Sequence, residues 1–433
     1  MDTLTLKERA AGIFQTANRL ADELALTGHP EPTFAQGLPS HLHGDAPESA
    51  ARNLKDQLVR MVDELNALLS EPAELLVPEI RLPTLSIHPI VRLGIAENFP
   101  EQGTSVADLA QTLRLSESVV GRLLAHSATH HVFYEAEPGF YVHTAASRLL
   151  CQNKGMRDWV RVGAEEVLPG TLKIADAVSR YPDSQEPEHC GWNIANNIDQ
   201  PVFCALASMP DRAATIASAM DWQTRHSGFS PKYLAEAFPW DNDVPANCEG
   251  IGLGLTVVDV GGGLGHISRA LAEHTHPAAE TSTFIVQDQP DIVDAGRSIL
   301  PEHLSGRVRF EVHDFFTEQP VQGADVYLLS SVLHDWPDKY AARILRALVP
   351  GLKTGAKVVI NERLVPGFHE AHYLVERQYR AFDITMLGFQ NSLERTRKNW
   401  EDLIKVADER FELTSMKTPK GSRLSVIEVT WRG

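Results

Sequence analysis

Val257-Val258-Asp259-Val260-Gly261-Gly262-Gly263-Leu264-Gly265 runs from an apolar strand, through a glycine turn, into a helix that the pattern places at Ile267 to Glu273. Glycines in such a turn let the backbone pass close to a ligand at the carboxyl end of the strand. A dinucleotide fingerprint needs GxGxxG, and counting from Gly261 the third glycine position holds His266. The order present is DxGxGxG, with Asp259 leading it, so a pyrophosphate on the helix N-terminus is disfavoured.

Downstream, strands and helices alternate. Phe284 to Gln287 reads as a second strand with a helix from Pro290, and Val308 to His313 as a third. Val326 to Ser330 is a fourth strand, followed by a helix over Asp338 to Leu348. Lys357 to Asn361 is a fifth, and a helix covers Thr396 to Asp408. Alternation of this kind implies right-handed βαβ units and a parallel sheet, an α/β fold. Asp288 follows the second strand, where its carboxylate can accept from ribose hydroxyls. Asp314 follows the third, placed to accept from an adenine amino group while Phe315 packs on the ring. Alone, each acid reads as a helix cap or a loop charge. Glycine turn, acid, and acid with aromatic at three successive strand ends point together to a nucleoside ligand.

His334, in Val332-Leu333-His334-Asp335-Trp336-Pro337, falls at the same sheet edge after the fourth strand. Glu362 follows the fifth strand, and Glu394 precedes the last helix. Their spacing matches no usual zinc pattern, so no metal is expected. A neutral imidazole, with a reference pKa of about 6.5, can take a proton from a positioned hydroxyl, and carboxylates can orient it. A phenol, at about 10, is within reach of such a base.

These motifs resemble the fungal branch of the plant-type small-molecule O-methyltransferases. The resemblance spans roughly residues 90 to 433. It rests on Asp259-x-Gly261-Gly262-Gly263-x-Gly265, Gln287-Asp288-x-Pro290, His313-Asp314-Phe315, His334-Asp335-Trp336 and Glu394-Arg395-Thr396. It implies a Rossmann-like class I methyltransferase domain behind an N-terminal winged-helix dimerisation domain, and hence a homodimer. It also implies S-adenosyl-L-methionine on Gly261 to Gly263, Asp288, Asp314 and Phe315, with His334 as base flanked by Glu362 and Glu394. Phe382 and Met386 would line the pocket of an aromatic or polyketide-derived acceptor. One position departs from the pattern. Four residues before the histidine the family commonly places a cofactor-contacting Arg or Lys, and here stands Ser330. A hydroxyl gives one hydrogen bond and no charge. Some fungal relatives of this fold act instead as pericyclases, steering a cycloaddition, dehydration or ene reaction, which is the alternative reading. A purely interacting protein would have no reason to gather these acids and the histidine on one edge.

The region before the glycine turn carries less chemistry. Ile13, Ala17, Leu20 and Leu24 recur at helical spacing, as do Leu54, Leu58, Met61, Leu65 and Leu68. Residues 1–87 therefore read as N-terminal helices and a candidate dimer seam. Within 88–154, Ser105 caps a helix over Val106 to Thr112, a second helix covers Glu117 to Ser127, and strands at Val132 to Glu135 and Phe140 to Val142 flank Glu137-Pro138-Gly139. That is a winged helix, but its second helix offers only Arg122 as a base-reading cation. Residues 155–250 read as a helical linker and substrate-pocket region, and 251–433 as the cofactor domain. The paired His130 and His131, and His41 and His43, read as surface or loop residues.

The 433 residues carry 57 acidic and 40 basic side chains, a formal net charge of -17. A field of that sign repels phosphate backbones and anionic lipid, so neither nucleic acid nor membrane is an expected partner. Residues 1–14 are charged rather than continuously apolar, and the four cysteines are irregularly spaced. Both observations point to the cytoplasm.

Overall fold

The computed structural model describes residues 4–32, 49–76, 82–225, 228–238, 240, 254–273 and 282–433. His41, His43, Cys248 and the stretch 245–253 lie outside them. The chain forms two compact units: Met1–Glu165 with Asp211–Trp222, and Glu166–Pro210 with Gln223–Gly433. The stretch 155–250, read from the sequence as one region, is divided between the two.

In the first unit Thr5 and Glu8 form a reciprocal capping box that starts the helix Leu6–Leu26. It pairs with the helix Ala50–Leu69 of the same chain through Leu20, Leu24, Ala51 and Leu54, so that part of the apolar spacing is used within the chain. The winged-helix pattern is present. Ser105 accepts the Asp108 N–H and caps Val106–Leu113. Arg114, in the left-handed region, ends that helix, and Glu117–Thr129 follows. The hairpin Phe133–Glu137 and Phe140–His143 is joined by a third short strand, Thr104–Ser105, which the sequence reading did not include. His130 and His131 sit at the C-terminal end of the second helix.

His143 closes that hairpin inside an apolar core. It is 1% exposed, its ring lies 4.7 Å from that of Phe99, and it is paired in register with Phe133. Burial pushes its pKa down, so the fold favours the neutral ring. The stabilisation this gives is present above the unfolded-state pKa of about 6.5 and is lost as pH falls through the lower folded value. We expect His143→Phe to lose less melting temperature than wild type between pH 7 and pH 5. An equal acid-induced drop in both proteins would show that His143 does not set it.

The second unit is built on a seven-stranded sheet. Its strands are β1 (Thr256–Val260), β2 (Thr283–Asp288), β3 (Val308–Val312), β4 (Val326–Ser330), β5 (Lys357–Glu362), β6 (Phe411–Lys417) and β7 (Ser425–Trp431). The spatial order is β6-β7-β5-β4-β1-β2-β3. β1 to β5 are parallel, as expected, but β7 runs antiparallel between β5 and β6. The sheet is therefore mixed, and β6 and β7 were absent from the sequence reading. Val258, Ile285, Leu328, Val359 and Ile427 are 0% exposed because helices cover both faces. The chain order reverses between β1 and β4. A crevice opens at the carboxyl ends of strands on either side of such a switch point. Both the glycine turn and His334 follow strands that border it.

Among the described residues no helix is long and apolar enough to cross a membrane. Cys151, Cys190 and Cys204 are free thiols, and burial pushes that of Cys190 up to about 11.

Candidate active site

The turn after β1 is tied to β2 by its own backbone. The N–H groups of Gly261 and Gly262 both donate to the Gln287 carbonyl, at 2.8 and 3.1 Å. Two of its glycines are required for different reasons. A Cβ on Gly262 would stand 2.6 Å from Cγ of Asp259 and 2.8 Å from Val286, so only glycine fits there. Gly263 has φ of +57° and meets nothing within 4 Å on its Cβ side. Its surface is an open cradle, and its N–H donates to Asp288 Oδ2 at 2.8 Å.

The acids surround that cradle unequally. Asp288 also accepts the Gln289 N–H at 2.8 Å, so it shapes the turn while each oxygen keeps a further lone pair. Asp259 is 1% exposed. Its Oδ2 accepts from Ser268 Oγ at 2.6 Å, whereas Oδ1 is buried with no hydrogen-bond partner. Burial, helped by the charge of Asp288, pushes Asp259 up to about 6. Burial raises Asp288 as well, against the two N–H groups that it accepts. Asp314 is exposed and accepts the Phe316 N–H at 2.9 Å. Phe315 Cε1 lies 3.5 Å from where a Cβ on Gly261 would stand, so its ring flanks the glycine turn. It also packs edge-on to Trp336. Ser330 donates to Asn361 Oδ1 at 3.2 Å, which leaves its oxygen to accept but no proton to give outward. Glycine turn, Asp259, Asp288 and Phe315 thus meet at one edge, a polar, glycine-floored surface with a spare buried acceptor.

His334 is positioned by charges that are remote in sequence. Ser331, with φ of +54°, turns the chain out of β4, a conformation that costs about 1 kcal/mol or more for a residue with a Cβ. Glu362 holds the strained turn. Its Oε1 accepts the N–H groups of Val332, Leu333 and His334 at 2.8, 2.9 and 3.4 Å. Arg395, 0% exposed, holds the same turn by its carbonyls, donating to Leu333 O at 2.7 Å and Trp336 O at 2.9 Å. The imidazole Nδ1 lies 3.0 Å from Glu394 Oε1, and Nε2 lies 3.4 Å from Asp335 Oδ1. Asp335 is oriented by Gln390 Nε2 at 2.7 Å.

The two glutamates therefore divide the work that the sequence reading gave to both. Glu394 orients the ring. Glu362 orients the backbone beneath it and acts on the ring by charge alone. Burial opposes a charged ring, but Asp335, Glu362 and Glu394 outweigh it and push His334 up to about 10. The neighbouring carboxylates thus favour the protonated ring in the free protein, where the sequence reading expected a neutral imidazole at neutral pH. Phe382 and Met386 lie one turn apart on the helix Tyr373–Gln390. Phe382 joins the cluster with one ring face covered by the Arg363 guanidinium, 3.8 Å from its centroid. Met386 is buried. Asp335, Arg363, Gln390 and Arg395 were missed as site residues. Only the His-Asp-Trp and Glu-Arg-Thr strings, which contain two of them, offered a signal.

The fold and site define a Rossmann-like methyltransferase. The chain matches the family model of the O-methyltransferase domain over residues 251–408, and that of the O-methyltransferase dimerisation domain over 86–153. It is 35% identical over 428 residues to a grayanic acid biosynthesis cluster O-methyltransferase of Cladonia grayi, covering 98% of this chain and 87% of that one. Among solved structures it is similar to one described as a pericyclic reaction enzyme, with TM-score 0.74 and 22% identity over 98% of this chain and 100% of that one. It is also similar to OxaC in complex with SAH and oxaline, with TM-score 0.74 and 19% identity over 98% and 100%. At those identities the structures speak for the fold. The chain belongs to the O-methyltransferase family of fungal secondary metabolism and is an S-adenosylmethionine-dependent O-methyltransferase.

Proposed function

We propose that this enzyme methylates a hydroxyl of a small aromatic or polyketide-derived secondary metabolite, with His334 as general base. The observation that carries this reading is the pairing of His334 Nδ1 with buried Glu394, on a turn whose Val332 packs at Gly261 of the glycine turn. Gly261, Gly262, Gly263, Asp259, Asp288, Asp314, Phe315 and Ser330 would hold S-adenosylmethionine. When bound, it supplies an activated methyl whose leaving group is a neutral thioether. Glu394 fixes the ring so that Nε2 receives the hydroxyl proton, and the imidazolium that results is stabilised by Asp335, Glu362 and Glu394. Positive charge brought to this edge weakens the ring's hold on its proton, the direction that the chemistry needs. Phe382 and Met386 would line the acceptor pocket. The dimerisation-domain match supports a homodimer, for which light scattering should give twice the chain mass.

Purified enzyme incubated with methyl-labelled S-adenosylmethionine and a panel of phenolic polyketides should yield labelled product. Conversion of an acceptor without gain of methyl mass would sink this reading in favour of pericyclic chemistry. The pH dependence has a fixed sign. A base must be unprotonated, and the free-enzyme ring titrates at about 10, so kcat/KM should climb from neutral pH toward that value. A profile that is flat over this range would show that His334 does not limit the rate as a base.

A further inference from the structure

Arg363 follows β5 directly. Its neighbours Leu364–Val365 pair in parallel with Arg395–Thr396, Leu364 opposite Arg395, which brings Arg363 beside Glu394. The guanidinium is buried, its side chain 7% exposed. It lies over the Phe382 ring at 3.8 Å and the Phe229 ring at 5.3 Å, and Arg423 stands over Phe229 at 5.9 Å. Its Nη1 donates to Glu394 Oε1 at 2.9 Å, the same oxygen that faces His334 Nδ1 at 3.0 Å. The other oxygen, Oε2, is buried with no hydrogen-bond partner. The direction in which Glu394 presents its charge thus depends on two contacts to one oxygen.

We infer that Arg363, fixed by the rings of Phe382 and Phe229, is a positioning residue that holds Glu394 and through it the orientation and proton affinity of His334. The inference rests on His334 being the base. A planar guanidinium lies flat on an aromatic face while donating in its own plane, which an ammonium cannot do. Phe382 is then more than a pocket wall, because its ring sets the plane of the cation that sets the carboxylate. The charged groups involved come from several elements. Asp335, Glu362 and Glu394 surround the ring, and Arg363 acts on Glu394, Asp335 and Tyr379. Arg423 also acts on Tyr379 by its charge, and Asp383 accepts the Glu394 N–H at 3.0 Å.

Removing the cation leaves His334 as the sole partner of Oε1, so the ring should hold its proton to higher pH. The test is the NMR titration of histidine-labelled protein, with the His334 signal assigned by its loss in His334→Ala, alongside methyl transfer by the same variants. In Arg363→Met the titration should move to higher pH and transfer should fall roughly 10- to 100-fold. Arg363→Lys keeps the charge without the planar fork. It should titrate near wild type and recover only part of the rate. Phe382→Leu should move the titration in the same direction as Arg363→Met, by less, and it carries the test if Arg363→Met does not fold. An unmoved titration in folded Arg363→Met would overturn the inference. If the titration moves but wild type transfers no methyl to any acceptor, the positioning role stands and the proposed function fails.

Discussion

His334→Ala is expected to transfer methyl groups at least about 10²-fold more slowly than wild type, with S-adenosylmethionine affinity largely retained. The residues that would hold the cofactor, Gly263, Asp288 and Phe315, are held by one another, by Gln289 and by Trp336 rather than by the imidazole, so its loss leaves them in place. The fold should survive as well. Removing one partner of a buried pair is destabilising when it strands a charge. Glu394 is not stranded here, because Arg363 still donates to it at 2.9 Å. Glu362 and Arg395 grip the backbone of residues 332 to 336 rather than the ring, so the turn keeps its shape. Release of S-adenosylhomocysteine by wild type and variant, together with calorimetric cofactor binding, measures both quantities. Turnover within a few-fold of wild type would remove His334 from the role of base.

Asp288→Ala is expected to weaken cofactor binding about 10- to 100-fold, since a hydrogen bond to a charged group contributes roughly 1.5 to 3 kcal/mol. Two effects combine. The ribose loses an acceptor, and the Gly263 and Gln289 N–H groups lose theirs, so the cradle itself loosens. The melting temperature should change much less than the affinity. Burial makes the charged carboxyl of Asp288 unfavourable in the folded protein, which offsets the hydrogen bonds that it accepts. Calorimetry with S-adenosylmethionine tests this, and a wild-type dissociation constant in the variant would refute the assignment.

The two variants probe features of different legibility. Asp288 ends a strand whose apolar run is Phe284-Ile285-Val286, where position in the chain and position in the sheet coincide. The same holds for β1 and β4, whose bounds match the sequence pattern, and for Ser105, whose capping role follows from its place before an apolar stripe. β7, with its run Ser-Val-Ile-Glu-Val-Thr-Trp, has a readable strand composition. Its place antiparallel between β5 and β6 is set by which edge of the sheet remained to be covered.

What the amino-acid sequence determined by itself was the α/β alternation, the glycine turn, and the delivery of Asp288, Asp314 and His334 to one edge. These follow from local rules: strand period, turn chemistry, and the geometry of right-handed crossovers. The division of labour between Glu362 and Glu394 was decided only in three dimensions, as were the roles of Arg363, Arg395 and Gln390. Glu394 is 60 residues from His334, and Gln390 is 55 from Asp335. No periodicity links residues so far apart. Which carboxylate meets the ring and which the backbone depends on the register of two short paired strands and on the docking of one helix. The same assembly raised the proton affinity of His334 above that of a free imidazole. An imidazole titrates near its reference value until its neighbours are known, and three carboxylates converge on this one only after the chain has folded.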